Sequence, residues 1–543
     1  MTSAELSAAL VAAAAGFEPL RRAERQLLKA LLRDDIARVG LRRPAERGED
    51  VAVRGALLAR LVTQVPQLRR VQLLGAWIEG PLDLGDLRVG ASLWFYRCVF
   101  EVAPRLDGAR LAGGASFGDC LLPGLRAERC RVADDLAVHA GCSVASELRL
   151  EGARIGGHLV LSRSVLHDEH DRSTRRPLVA DRARIGGDLR LDEGFESHGE
   201  LRLASVRIGG DLVASRARLY GPVDAAGVRR DALVLDRAVI GGQVRLDQGF
   251  AAAGRVCLRR AEIGGDLDCS GAGFDRVGDA SWGDGAALVL DRARVHGTLV
   301  LSGLQEPLAG ASFAGTRVGT LLDDHSSWGE RLVLDGFVYS RFGEGAPLDA
   351  PFRLAWLERQ PGRHLAEDFR HHPWRRLIAV LARMGERHSA SEVALRRERL
   401  LRRIGRIGRS FPQALRWLAR GAHALYGAAL GYGWRPQRLG AWLLAAWLGG
   451  AALYWAAEQQ GLRPGAARHE SFSALAHSAD RLLPLAHQDP GPSWSVPPNA
   501  APAQADWAEG MRWLGRLQSL LGWCALLGLG LSWASRGRRE SGR

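Results

Sequence analysis

Ala183-Arg184-Ile185-Gly186-Gly187-Asp188-Leu189 is the phrase whose reading decides the fold, because the chain keeps returning to it. Its Ile-Gly-Gly core stands at Ile155, Ile185, Ile208, Ile240 and Ile263, with looser copies at Val295 and Val318 and weaker ones at Val89, Leu111 and Val132. Taken in order, these positions are 22, 21, 23, 30, 23, 32, 23, 32 and 23 residues apart. A base step of 21–23 residues with occasional insertions is the signature of a solenoid whose loops vary while its coil does not. Within each step apolar residues alternate with polar ones over runs too short and too glycine-punctuated for helices, which suits short strands. The expected fold is mainly β: a parallel β-helix whose core stacks Leu, Ile and Val. Glycine is expected at its corners, where it permits positive φ or a tight bend. Asp188, Asp211 and Asp266 follow the glycine pairs and are expected to bond turn backbone. Coils stacked about 4.8 Å apart would make a rod on the order of 50 Å long.

Outward from the repeat, the chain divides into seven segments. Residues 1–70 carry apolar positions at helical spacing (Leu27, Leu31, Leu32; Leu57, Leu58, Leu61) and read as a helical cap over the unpaired end of the solenoid. Residues 71–345 are the repeat domain. Residues 346–438 form a basic helical linker, including a hairpin around Gly385. Residues 439–457 and 517–535 are uncharged stretches long enough to cross a bilayer. Between them lies a near-neutral loop, 458–516, in which Ser478–Leu485 is a candidate re-entrant segment. Residues 536–543 are a basic tail. Arginines flank the first stretch on its N-terminal side and follow the second, so the positive-inside rule puts both termini, and the solenoid with them, in the cytoplasm.

Three insertions, about Arg163–Arg176, Arg216–Arg230 and Gly271–Ala286, fall at the same phase of alternate coils and should emerge on one side of the rod. His167, His170, Tyr220 and Trp282 are the candidate contact residues there, since loops on rigid scaffolds carry recognition. A second candidate is a column of arginines, Arg154, Arg184, Arg207, Arg294 and Arg317, each preceding the Ile or Val of its phrase. Stacked like charges repel unless they are solvated, paired with neighbours such as Asp181 and Asp291, or facing an anionic partner. Near the first apolar stretch, Tyr432, Trp434, Arg435 and Arg438 are expected at the membrane interface, with Arg536 beyond the second. Gly431-Tyr432-Gly433 is not read as an ion filter, because it precedes both apolar stretches instead of lying between them.

The 543 residues carry a net charge of +14, and Lys29 is the only lysine. The excess concentrates between Arg359 and Arg438, which points to a membrane surface and not to nucleic acid. The seven cysteines include no C-x-x-C, and Cys98, Cys120 and Cys142 are 22 apart, one coil, so they should stack as small core residues. The His364, His371, His372 and His388 group lacks acidic or thiol partners at ligand spacing. There is no phosphate-binding loop, dinucleotide fingerprint or nucleophile elbow, and no cofactor is expected. Ala12–Ala15 lacks a basic n-region and does not read as a signal peptide.

The phrases "G-A-R-I-G-G-D-L", Gly75–Leu84, Gly431–Pro436 and Ser478–Pro484 together resemble a family of bacterial membrane-anchored proteins with pentapeptide-like β-helical repeats. That resemblance implies a bacterial cytoplasmic membrane location. Some members are described as membrane-associated oxidoreductases, so it also implies a redox activity. The reading of the residues themselves favours a membrane-anchored, non-catalytic scaffold. Its partners would be lipid and a cytoplasmic protein or anion, with self-association as a further option. A two-span oligomeric channel or transporter is the alternative.

Overall fold

In each coil the alternation sorts side chains to two sides of a thin wall. Ala183, Ile185, Leu189 and Leu191 are buried while Arg184 is exposed, and the next coil repeats this with Val206, Ile208 and Leu212 inside and Arg207 outside. A computed structural model describes residues 3–167, 175–225, 227–275, 285–409, 411–435, 437–460, 462–464, 472–483, 494–495 and 502–540. It is a parallel β-solenoid of about 12 turns with helices at both ends. A typical coil contributes two short strands to a 21-stranded sheet (Arg184–Ile185 and Leu189–Arg190), one to a 10-stranded sheet (Glu196–His198) and one to a 9-stranded sheet (Leu201–Arg202). Pairing is parallel and in register, Arg184 opposite Arg207 and Ile185 opposite Ile208. Identical side chains therefore stack from coil to coil.

Of the two roles expected for the glycine pair, positive φ is absent and the tight bend without a Cβ is present. Gly186, Gly209, Gly241 and Gly264 do not have positive φ. They are small because the coils touch there: a Cβ on Gly209 would lie 2.2 Å from the Gly186 carbonyl oxygen, and one on Gly264 2.2 Å from that of Gly241. The second glycine of each pair makes room for the aspartate of the previous coil; a Cβ on Gly210 would lie 2.0 Å from Asp188 Oδ1. The left-handed corner lies elsewhere, three residues before the Ile or Val of each phrase, and mostly lacks glycine: Arg182, Ser205, Arg237, Arg260 and Arg292 have φ of 58°, 59°, 58°, 56° and 59°. Such a conformation costs an L-residue about 1–2 kcal/mol, which the surrounding ladder must offset.

The aspartates behave as expected, with the added feature that each reaches forward one coil. Asp188 Oδ1 accepts from the Asp211 N–H at 2.9 Å, Asp211 Oδ1 from the Gln243 N–H at 2.9 Å and Asp266 Oδ1 from the Thr298 N–H at 2.6 Å. The cysteines stack as well: the Cys98 N–H donates to Cys120 Sγ at 3.4 Å and the Cys120 N–H to Cys142 Sγ at 3.2 Å, all three thiols being buried and free. Burial pushes the Cys130 and Cys257 thiols up to about 12.

The N-terminal cap is helical over Ser3–Ala14, Arg22–Leu32 and Gly55–Gln64. Strand pairing already begins inside it, where Ala37–Arg38 and Ala52–Arg54 align with the first full coil. Glu24 is fully buried and bonds Arg54 Nε at 2.7 Å and Nη2 at 2.6 Å. At the other end, helices Ala350–Glu358, Gly362–Leu365 and His371–Arg383 close the solenoid. Their lock is a buried pair: Arg353 donates to both oxygens of Asp323, at 2.7 and 2.8 Å, with both side chains fully buried. Trp328 Nε1 donates to the same carboxylate at 2.6 Å, and the guanidinium lies 3.7 Å from the centre of the Phe342 ring. The stretch expected as a single linker is thus divided: up to Ser389 it belongs to the solenoid unit, and from Ala390 onward to a second compact unit.

The second unit is helical: Arg416–Leu430, Gln437–Gln459, Ala474–Leu482 and Pro502–Glu540. Among the described residues one helix, Gln437–Gln459, is long and apolar enough to cross a membrane. The 517–535 stretch lies inside the 39-residue helix Pro502–Glu540, which does not meet that standard as a described helix. Side-chain bonds tie these helices together. Gln518 Nε2 donates to the Ala446 carbonyl at 3.1 Å and to Ser478 Oγ at 2.9 Å, and the Tyr454 hydroxyl donates to Gln518 Oε1 at 3.0 Å. Gly450 supplies the notch: a Cβ there would lie 1.8 Å from Gln518 Nε2.

Candidate anion-binding face

The register that stacks Ile on Ile in the core stacks Arg on Arg outside. Arg88 pairs with Arg110, Arg110 with Arg131, Arg131 with Arg154, Arg154 with Arg184 and Arg184 with Arg207. Six consecutive rungs carry an exposed arginine at one position of the 21-stranded sheet. Val239 and Glu262 interrupt the column, and Arg294 and Arg317 resume it. All five arginines anticipated from the repeat lie in this column. Arg88, Arg110 and Arg131, in the degenerate early coils, belong to the same column and were not anticipated. The signal was present nonetheless, since an arginine precedes Val89, Leu111 and Val132 as well.

None of the six makes an ion pair or side-chain hydrogen bond among the described residues, whereas several other arginines of the solenoid do. Arg190 holds Asp192 at 2.8 Å, Arg202 holds Asp181 at 2.6 Å and Arg245 holds Asp247 at 3.0 Å. The acids expected to neutralise the column are engaged elsewhere. Asp181 takes Arg202 and the Ala204 N–H, and Asp291 takes Ser312 Oγ at 2.5 Å and the Ala314 N–H. Unit charges about 4.8 Å apart in water repel by roughly 0.9 kcal/mol per neighbouring pair, less once salt screens them. A bound polyanion reverses the sign of that term at every rung. Each guanidinium also presents a planar fork suited to carboxylate or phosphate oxygens.

The strands that flank the three insertions lie at one corner, each insertion falling between a strand of the 10-stranded sheet and one of the 9-stranded sheet. His167 and Tyr220 are brought together through a residue the sequence reading passed over. His198 stacks on His167 with centroids 4.8 Å apart and on Tyr220 at 5.1 Å, while His198 Nε2 lies 2.9 Å from Glu196 Oε1. His170 and Trp282 lie outside the described residues.

Tyr432 corrects an expectation. It is buried, not available to headgroups: its ring packs on His423 at 4.6 Å and fills the space that a Cβ on Gly427 would need. Trp434 and Arg438 are half-buried, and Arg435 pairs with Glu392. Arg536 lies within the helix Pro502–Glu540. No group of three or more His, Cys, Asp or Glu suited to a metal ion occurs among the described residues.

Comparison with protein-family models, with curated proteins and with solved structures finds no match for this chain. What the column can do therefore rests on its own geometry: an exposed, in-register row of arginines without carboxylate partners among the described residues.

Proposed function

We propose that this chain is a membrane-anchored, non-catalytic β-solenoid scaffold whose arginine column binds an anionic partner. The observation that carries the reading is the run of six in-register exposed arginines, stacked rung on rung, without carboxylate partners among the described residues. Self-repulsion along such a run is a standing cost, and an anionic ligand removes it. The two interruptions, Val239 and Glu262, confine the uninterrupted face to the first half of the solenoid.

The anchor in this proposal is a hairpin of Gln437–Gln459 and the apolar part of Pro502–Glu540, with both termini cytoplasmic by the arginine asymmetry. Support comes from the apolar first helix and from the inter-helix bonds of Gln518, since a polar side chain in a bilayer needs a protein partner. Ser478 Oγ donates to the Trp447 carbonyl at 2.8 Å, so helix Ala474–Leu482 touches Gln437–Gln459 near its middle. That contact favours a re-entrant segment over a purely external loop.

The test is retention of the full chain, in zwitterionic detergent micelles, on immobilised sulfated polysaccharide. The expected result is elution at high salt, shifted to markedly lower salt when Arg131, Arg154, Arg184 and Arg207 are replaced by Gln. Equal elution of the two forms would remove the column from the account.

A further inference from the structure

We infer that the ligand of the arginine column is a single-file phosphate polymer lying along the solenoid axis. The inference rests on the anion-binding reading and narrows it to one chemistry, linear polyphosphate.

Shape is the first argument. The column runs across the strands, along the axis, and its six rungs cover about 24 Å at a coil spacing of ~4.8 Å. It is one side chain wide and has acids on both sides. Asp135, Asp188 and Asp211 lie four residues after their arginines, and Glu128, Glu151 and Asp181 three residues before theirs. The register that aligns the arginines aligns these too, with His158 on the rung between Asp135 and Asp188. Glu128, Glu151 and Asp181 are paired with Arg149, Arg182 and Arg202, but Asp135, Asp188 and Asp211 have no arginine partner among the described residues, and a planar anionic surface such as a bilayer, or a duplex, would cover that column too and set phosphates against its carboxylates. A thread covers the guanidinium groups alone.

Spacing and chemistry narrow the thread further. An extended acidic peptide presents same-face side chains about 6.7 Å apart and drifts out of step with rungs at ~4.8 Å. Its backbone cannot pair here, because the strands run across its path and the solenoid ends are covered by helices. Single-stranded nucleic acid binding relies on aromatic platforms for its bases. The strand residues beside each arginine of the column are Ile, Val or Leu turned inward, followed by Gly or Ala. A phosphate polymer carries anionic oxygens on every unit, more densely than the rungs, so it needs no register. Each guanidinium can grip it with two parallel N–H donors.

The experiment measures binding of fluorescent linear polyphosphate, long enough to span the column, to the full chain in zwitterionic micelles. Tripolyphosphate, poly-glutamate and vesicles of phosphatidylserine with phosphatidylcholine are the comparison probes. Three variants are compared with the parent: R110Q/R131Q/R154Q/R184Q, the same four positions changed to Lys, and an off-column control R33Q/R42Q/R363Q/R375Q with equal charge loss. The parent is expected to bind long polyphosphate more tightly than any comparison probe. The column Gln variant should lose roughly 100- to 1,000-fold at about 1 kcal/mol per lost contact. The Lys variant should fall between them, and the control should stay within about threefold. All four positions are exposed, and an unchanged circular dichroism spectrum verifies that the variant is folded. Tighter, column-dependent binding of poly-glutamate or vesicles would overturn the phosphate-polymer inference and leave the anion-binding reading standing. Absence of column-dependent binding to every probe would overturn both.

Discussion

Replacing Gly209 by Ala and, separately, Arg237 by Gly opposes the two roles glycine could have in the repeat. If backbone conformation alone decided the outcome, Gly209→Ala would be mild. Its φ is ordinary, and a Gly→Ala change at such a site commonly stabilises by about 0.4–1 kcal/mol. The geometry predicts the reverse sign. The new Cβ lands 2.2 Å from the Gly186 carbonyl oxygen. An unstrained contact needs roughly 3.2 Å, so the coils must part locally by about 1 Å. Overpacking of that kind costs about 1–3 kcal/mol. Opening also stretches the 2.9 Å bonds from the Gly209 N–H to Ile185 and from the Gly241 N–H to Ile208, each worth about 1 kcal/mol. The total is roughly 3–5 kcal/mol. Arg237→Gly relieves a left-handed strain of about 1–2 kcal/mol while adding about 0.5–1 kcal/mol of backbone entropy, so the net change is within about 1 kcal/mol. Hydrogen exchange with mass spectrometry over peptides 183–245 is the assay, because solenoid stability is local to neighbouring repeats. Gly209→Ala should speed exchange there by roughly two to four orders of magnitude, and Arg237→Gly by less than about tenfold. Comparable rates in the two variants would refute the close-approach account.

Three further outcomes follow from the same structure. Arg353→Met should cost about 3–5 kcal/mol, because it leaves the Asp323 carboxylate buried without its bidentate partner. Asp323→Leu/Arg353→Met should recover most of that, both measured by exchange at Ala350–Glu358. At Glu24, burial pushes the carboxyl up, but the bonds from Arg54 and from the Arg21 N–H outweigh it and hold the group below the ordinary glutamate value. A folded-state value below the unfolded one contributes stability that is present at neutral pH and lost as pH falls through the folded value. The N-terminal helices should therefore loosen on acidification below the ordinary glutamate range, and this added acid sensitivity should vanish in Glu24→Gln. Finally, Cys98, Cys120, Cys130, Cys142, Cys257 and Cys269 are buried while Cys524 is exposed on its helix. In bilayers a water-soluble maleimide should leave all seven unmodified, Cys524 being shielded by lipid. Rapid modification of Cys524 in intact bilayers would contradict the hairpin anchor.

The solenoid was legible because its information is local and periodic. Apolar alternation, the 21–23-residue step and the aspartate after each glycine pair can be read along the chain, and the 22-residue cysteine spacing named a stack that the structure contains. Which of glycine's two roles applies was not legible, because the sequence records which residue is small and not what it touches. The contact that excludes a side chain at Gly209 comes from Gly186, 23 residues earlier. The left-handed corners were invisible for the complementary reason, being occupied by Arg182, Arg237 and Arg260. The arginine column was found in part. Its first three rungs obey the arginine rule without the glycine rule. That the column is unpaired could not be read at all, since Asp181 had two arginines within reach by phase and the folded geometry chose Arg202. The Asp323–Arg353 lock joins residues 30 apart with no repeat to announce it. The notch that seats Gln518 over Gly450 likewise joins two segments whose separate readings were only hydropathy.

The central claim is that the exposed arginine column is an unneutralised anion-binding face. The most direct measurement is the salt dependence of long polyphosphate binding by the full chain and by its R110Q/R131Q/R154Q/R184Q variant. The account predicts a steep fall of affinity with salt in the parent, as counterions are released on binding. It also predicts a slope shallower by roughly three to four in the variant, about one for each rung removed. Parallel lines of equal slope and equal affinity would contradict it.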